Sequence, residues 1–362
     1  MNKLTKIGLS ALCGSLASIA AANAGSLEVT GSAEVTWTSL QGQSTGNPIG
    51  MNTGMTFTGS GELDGGQTFS VAIAHTDKIQ YSSANITLNT NNGGTFKLSS
   101  AEGGAGIGGY DDNMPRAWEE VWDAGISTSA KMQKGVGSST NISWTTPTVA
   151  GTKIQLAYAP DNDGAQNNNK IASGDANNDK GQGWDLVIDT GTADGAINLF
   201  VGGSRTELAK VKTDRDLSGD HEEAVVGLQF KFGPVALGGQ VSAARLRTRA
   251  LNTAEYYGNS SWGIAFNVND NLSISYSEAR HVQTKTHKSN NPVAGVVNTE
   301  SGSINYNEYT PKSWMRGDSI QVAYTIGGIG LKYARSSYDN TLFSFDKKIP
   351  RESQIIAVSL AF

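Results

Sequence analysis

Charged side chains are concentrated in one short segment of the chain, residues 111–123. Five carboxylates accompany a single guanidinium there, which leaves a formal charge of −4; the residues are Asp111, Asp112, Arg116, Glu119, Glu120 and Asp123. The chemistry that such a cluster supports is electrostatic, because carboxylates raise the local concentration of cations where low-dielectric walls focus their field. The sequence therefore predicts a site that enriches cations.

A second acidic segment is similar to the start of a calcium-binding loop. Asp214, Asp216 and Ser218 occupy alternate positions, but the twelfth position holds Val225 where such loops have glutamate. Two interpretations stay open, a Ca²⁺ site at these three residues or a solvated polar loop. No other cofactor is expected.

Two glycine motifs known from enzymes occur without the structural elements that they need. Residues 104–109 form G-x-G-x-x-G, but the second parallel strand of a dinucleotide-binding unit is missing. Residues 42–46 form G-x-S-x-G, but no helix follows to make a nucleophile elbow. The histidines have neither metal-ligand nor triad spacing; they are His75, His221, His281 and His287. An outer-membrane hydrolase is the enzymatic alternative, but the sequence predicts that the protein is not an enzyme.

The N-terminal 24 residues predict export. Lys3 and Lys6 precede an apolar stretch, and residues 22–24 (ANA) fit the small-x-small pattern of signal-peptide cleavage. The mature chain, 25–362, is expected to be a single domain. It contains no cysteine, because Cys13 lies in the signal peptide. The net charge of −5 argues against nucleic acid as a partner.

The pattern that recurs after residue 25 is an alternation of apolar and polar residues with a period of two, which predicts β-strands with two different faces. Sixteen segments show it: 27–38, 51–63, 67–78, 82–90, 94–100, 138–146, 152–159, 183–190, 195–206, 222–232, 235–248, 259–268, 271–285, 317–326, 329–338 and 352–362.

The connections between these segments alternate in length. Tight turns rich in Gly and Asn, such as 64–66 and 233–234, follow the even segments, and long polar loops follow most of the odd ones. Short turns at one rim and long loops at the other predict a 16-stranded antiparallel transmembrane β-barrel. The barrel must close because a bilayer has no water to satisfy open strand edges. An extra hairpin at 295–310 would make eighteen strands, and the sequence leaves this open.

The two faces of the strands differ in the way that a membrane barrel requires. The apolar face has aromatic residues near both ends of the strands, for example Trp37 and Trp184 at one end and Trp144 and Phe232 at the other. Two such bands are typical of barrels in lipid. The opposite face is polar, and a ring of about sixteen strands leaves a water-filled channel for it to line.

The acidic cluster lies in the longest early loop, residues 101–125. Its second half predicts a short helix with Met114, Trp118 and Trp122 on one face and the acidic residues on the other. Because the apolar stripe needs a surface to pack on, we expect this loop to fold into the lumen.

The chain resembles the trimeric general porins of Gram-negative outer membranes, especially the alphaproteobacterial type. The resemblance rests on the signal peptide, the sixteen alternating segments, the sequence YDDNMPRAWEEVWD at 110–123 and the terminal Phe362. It implies that the third outer loop forms the pore constriction, lined by Asp111, Asp112, Arg116, Glu119, Glu120 and Asp123. It also implies that Phe362 serves in membrane assembly and barrel closure.

The function implied by the resemblance is passive diffusion of small hydrophilic solutes and ions through a homotrimer in outer-membrane lipid, with a weak preference for cations. Lys78, Lys97 or Lys332 would form a basic wall opposite the loop. The alternatives are a substrate-specific channel, for example for sugars, and a barrel that serves as an adhesin or receptor.

Overall fold

The computed structural model of the protein describes residues 25–77, 79–162, 180–208, 220–246, 254–285, 287–288, 308–309, 312–344 and 348–361. Several predictions from the sequence lie outside these residues: the signal peptide 1–24, the calcium segment with Asp214, Asp216 and Ser218, the basic residue Lys78, and Phe362.

Sixteen strands of the described chain form one closed antiparallel barrel, and two short strands, β14 and β15, form a separate ribbon. The strands are β1 (Leu27–Gln41), β2 (Ile49–Glu62), β3 (Thr68–Thr76), β4 (Ile79–Thr90), β5 (Gly94–Ser100), β6 (Asn141–Thr145), β7 (Thr152–Ala159), β8 (Lys180–Gly191), β9 (Ile197–Leu208), β10 (His221–Phe232), β11 (Val235–Arg245), β12 (Ala254–Asn269), β13 (Leu272–Lys285), β14 (His287–Lys288), β15 (Glu308–Tyr309), β16 (Lys312–Ile326), β17 (Ile329–Tyr338) and β18 (Arg351–Ala361).

Each barrel strand pairs with its neighbours in the chain, and β13 pairs with β16, so that the ribbon of β14 and β15 lies outside the ring order. The ring closes where β1 pairs with β18, from Ser32 opposite Ala361 to Gln41 opposite Glu352. The predicted count of sixteen barrel strands is therefore confirmed. An eighteen-stranded barrel is not what the described residues form, because β14 and β15 pair only with each other.

The alternation of the last strand shows what each face of the barrel contacts. Ile356 is 49% exposed on the outer face, whereas its neighbour Ile355 is 8% exposed on the inner face. The outer faces of the other strands also expose large apolar side chains. In water this exposure would be costly, but at a lipid surface it is favourable. None of the described residues forms a helix that is long and apolar enough to cross a membrane.

Aromatic side chains mark the two edges of the outer apolar face. Trp184, toward the long loops, packs against Tyr158 with ring centres 4.0 Å apart. Phe96 and Trp144, toward the short turns, stack with ring centres 6.1 Å apart. Interfacial aromatic bands anchor barrels at the headgroup level, so these pairs indicate where the hydrocarbon core begins and ends.

The short helix predicted for the second half of the long loop is wrong. A 3₁₀ helix forms earlier, at Gly106–Tyr110, and residues 111–125 form turns and bends. The physical reason is competition for backbone N–H groups. Those of Asn113, Ala117 and Trp118 donate to side chains of the barrel wall instead of to helical carbonyls.

The assignment of one barrel face to lipid and the other to water can be tested with two neighbouring residues of β13. Replacing the outward Ile274 with arginine places a charge against lipid, which we expect to destabilise the folded barrel by about 2–4 kcal/mol. Replacing the inward Ser273 with arginine places the same charge in water and should cost far less. Urea unfolding of both variants in lipid vesicles measures the difference. Equal destabilisation would contradict the assignment of the faces.

Candidate pore constriction

The loop between β5 and β6, residues 101–140, runs through the interior of the barrel. Along its length it bonds to inward side chains of many strands, among them Asp185 of β8, Glu223 of β10, Gln240 of β11, Asn259 of β12, Ser275 of β13, Gln321 of β16 and Ser353 of β18. It therefore follows one side of the lumen, and β1 to β4 form the wall across from it.

Two buried carboxylates of the wall hold the ends of the loop. Asp185 accepts hydrogen bonds from the backbone N–H of Ile107 at 3.0 Å and of Val136 at 3.2 Å. Glu223 accepts from the N–H groups of Lys134, at 3.0 Å, and Gly135. Because Ile107 and Val136 lie near opposite ends of the loop, one side chain fixes both.

Glycine is required where the loop meets Asp185. Gly106 and Gly135 have φ angles of +59° and +57°, which residues with a side chain rarely adopt. A Cβ atom at either position would also lie 2.0 Å from the carboxylate oxygen of Asp185. Gly106, the middle glycine of the nucleotide-like motif, thus serves close packing at this point.

Two glutamines of the wall hold the middle of the loop through its backbone. The side-chain oxygen of Gln321 accepts from the N–H groups of Trp118 and Glu119 at 2.9 and 3.1 Å, and its nitrogen donates to the Glu119 carbonyl. Gln240 likewise accepts from the Asn113 N–H and donates to the Asp111 carbonyl. Each amide satisfies backbone groups that would otherwise lack partners.

The apolar residues of the loop pack on the wall, as the sequence predicts. Met114 and Val121 are buried in one cluster with Met315 of β16 and Phe343. Trp122 meets the ring of His281 edge-on, with ring centres 5.5 Å apart. This packing fixes the apolar side of the loop against the wall.

Arg116 is enclosed by carboxylates of its own loop. Its Nη2 atom lies 2.8 Å from Asp112 Oδ2 and 2.6 Å from Glu120 Oε1. Carboxylate oxygens of Glu119, Glu120 and Asp123 also lie within 4.8 Å of one another. The guanidinium is therefore neutralised locally, and the loop retains an excess of negative charge.

The crowding of these carboxylates changes their protonation. Burial, reinforced by the charge of Asp112, raises the pKa of Asp111 to about 6. Burial raises the pKa of Glu120 to about 7, although Arg116 opposes the shift. Burial and the charge of Asp123 also raise the pKa of Glu119. The charge of the loop therefore varies with pH close to neutrality.

The lysines predicted to face the loop occupy different places. Lys332 lies 2.7 Å from Glu34 Oε2 and 5.5 Å from the ring centre of Trp118. It borders a cavity of about 460 Å³ together with Glu34 and Glu119. Lys97 instead pairs with Glu102 at the base of the loop, at 2.7 Å. Lys332 is thus the described lysine that shares a cavity with the acidic loop.

The sequence did not identify the wall residues that hold the loop. Asp185, Glu223, Gln240 and Gln321 all have the inward parity of their strands, so they could be recognised as facing the lumen. Nothing in their spacing distinguishes a residue that binds the loop from one that only contacts water.

A closed barrel whose strands expose apolar side chains outward and polar side chains inward, with a loop folded inside, is the architecture of a transmembrane channel. The model of the Gram-negative porin family matches residues 8–297, so the chain belongs to the Gram-negative porins and resides in the outer membrane. Porins are channels and not enzymes. A comparison with curated protein sequences gave no match.

Solved porins have the same fold at low sequence identity. An anion-selective porin from Comamonas acidovorans is 12% identical with a TM-score of 0.59, over 93% of this chain and all of that one. In-vitro folded OmpT of Vibrio cholerae, in its trimer form, is 8% identical with a TM-score of 0.60, over 93% and 99% of the chains. Salmonella typhi OmpF in complex with daunomycin is 12% identical with a TM-score of 0.58, over 93% and 97%.

Loss of a wall glutamine should release the middle of the loop. In Gln321→Ala the N–H groups of Trp118 and Glu119 lose their acceptor, at a cost of about 1–3 kcal/mol. We expect larger and noisier single-channel currents in planar bilayers. The matched control is Asn85→Ala on the opposite wall, where Asn85 bonds to Thr87. Unchanged current in Gln321→Ala would show that this contact does not position the loop.

Proposed function

We propose that this porin is a general diffusion channel with a weak preference for cations, and that the loop segment 111–123 forms its constriction. The observation that carries the proposal is the excess of carboxylates on a loop whose single arginine is already paired within the loop. Low-dielectric barrel walls focus the field of these charges into the passage.

The wall across from the loop supports this polarity. Among the described residues, the inward positions of β1 to β4 carry no lysine or arginine, and Glu34 is one of several carboxylates there. Of the lysines predicted to form a basic wall, the two that the structure describes, Lys97 and Lys332, are each paired with a glutamate. These two lysines therefore add little free positive charge opposite the acidic segment.

The expected mechanism is passage without tight binding. Serine, threonine and asparagine side chains of the inner wall, such as Ser32, Asn52 and Asn85, offer exchangeable hydrogen bonds to hydrated solutes. Conduction requires such weak interactions, because a solute that binds tightly leaves slowly. The size and field of the constriction would select among small hydrophilic solutes.

We also propose that the protein assembles as a homotrimer. The support is the shared fold with a Vibrio cholerae OmpT that is described in a trimer form. Three conductance steps of equal size for each insertion into a bilayer are expected, whereas a single step would favour a monomer.

A sugar-specific channel receives little support from the described lumen. Aromatic residues that could guide sugars, Phe200, Tyr338 and Phe343, are each no more than 2% exposed because they pack between the loop and the wall. No contact in the described chain favours an adhesin or receptor. Binding of Ca²⁺ by Asp214, Asp216 and Ser218 stays a prediction.

Removal of unpaired loop charge should weaken the preference for cations. Glu119→Gln combined with Asp123→Asn leaves both ion pairs of Arg116 intact, and we expect the K⁺ over Cl⁻ permeability ratio to fall on the order of twofold. The reversal potential across a KCl gradient measures it. Asp194→Asn, at an exposed turn of the other rim, is the control. Anion preference in the wild-type protein would refute the proposal.

The cation preference should also fall as the pH is lowered. A carboxyl with a raised pKa becomes neutral at a higher pH, so Asp111 and Glu120 should lose charge between about pH 8 and about pH 5. Reversal potentials across this range test the effect. In Asp111→Asn combined with Glu120→Gln the pH dependence should flatten. A wild-type ratio that stays constant would contradict the role of these two carboxyls.

A further inference from the structure

The outer wall of the barrel contains a groove across β9 to β13. Small outward side chains, including Ala224, Ala243 and Ser260, form its floor, and Val201, Val226 and Val241 lie along it. The groove has a volume of about 470 Å³, within the range of small-molecule sites. Because its lining is mainly apolar, it suits a hydrocarbon chain.

One cationic side chain lies beside the apolar residues of this groove. Arg280 lines the groove and lies opposite Ser260 in the ladder between β12 and β13. Two residues nearer the short turns, Glu278 lies opposite Trp262 of the outer aromatic band. Arg280 is therefore one outward position beyond that band, at the level of lipid headgroups.

Arg280 is oriented by an aromatic ring and has no carboxylate of its own. Its guanidinium carbon lies 4.2 Å from the ring centre of Trp314, which also lines the groove. In the part of the chain that the structure describes, Arg280 forms no ion pair. Cation–π contacts of this kind hold an arginine in place while its N–H donors remain available.

The carboxylates at the neighbouring outward positions are already engaged. Asp318, opposite Glu278 on β16, accepts from Ser337 at 2.7 Å. Glu278 accepts from Tyr276 at 2.8 Å and pairs with Arg316 at 3.2 Å. A second depression of about 270 Å³ adjoins the groove and is bordered by Arg280, Arg316 and Ser260. The guanidinium of Arg280 thus lies without an ion pair beside an apolar groove, an arrangement complementary to an anionic amphiphile.

We propose that this surface binds one phosphate-bearing lipid of the membrane, with an acyl chain in the groove and the phosphate on Arg280. Arginine pairs with phosphate through charge-assisted, bidentate hydrogen bonds. The valines of the groove, which lie on the same ladder row as Arg280, supply hydrophobic contact for the acyl chain. Solute passage on the inner face does not depend on this site.

Native mass spectrometry of the purified full-length barrel, titrated with phosphatidylglycerol, tests the proposal. We expect the wild-type protein to retain the lipid in preference to diacylglycerol, which lacks the phosphate. Arg280→Gln should weaken retention about tenfold. Arg335→Gln is the matched control, because Arg335 is also an exposed outer-wall arginine but is paired with Glu352 at 3.2 Å.

A second variant tests the groove without changing the charge. Ala243→Leu fills part of the floor and should also weaken retention, with Arg280 intact. Equal retention by wild type, Arg280→Gln and Ala243→Leu would overturn the proposal, as would equal binding of diacylglycerol. Occupation of the groove by a neighbouring copy, detected by cross-linking from a cysteine introduced at position 243, would overturn it as well.

Discussion

Backbone hydrogen bonding in the absence of water is the constraint on which this structure depends. No strand edge can stay open in the hydrocarbon core, so the sheet closes through the ladder between β1 and β18. In the closed ring, every strand therefore has its apolar side chains on the face toward lipid and its polar side chains on the face toward the lumen. A ring of sixteen strands encloses more space than its own side chains fill. What occupies the interior therefore decides what can pass.

The backbone N–H groups of the luminal loop also need hydrogen-bond partners, and here side chains supply them. These groups lie inside the barrel, and Asp185, Glu223, Gln240 and Gln321 of the wall satisfy them. These contacts, together with the apolar packing of the loop, hold segment 111–123 against the wall. The burial that raises the pKa of Asp111 and Glu120 is thus a consequence of how the loop is held.

The sequence predicts the ring well, because the period-two pattern is a local signal that closure makes obligatory. It predicts the luminal loop only in part. The spacing of Met114, Trp118 and Trp122 suggests a helix, but acceptors from strands more than a hundred residues away capture the N–H groups. The pairing of Lys97 with Glu102, and the position of Arg280 beside a groove, depend in the same way on geometry that spacing alone does not encode.

Hydrogen exchange of the loop backbone tests the central claim, that wall side chains hold this segment inside the barrel. The account predicts that, in the folded protein, the amides of Ile107, Trp118, Glu119 and Val136 exchange as slowly as those of the neighbouring strands. It also predicts that Trp118 and Glu119 lose this protection in Gln321→Ala. Exchange of all four amides at the rate of an unstructured chain in the wild-type protein would contradict the account.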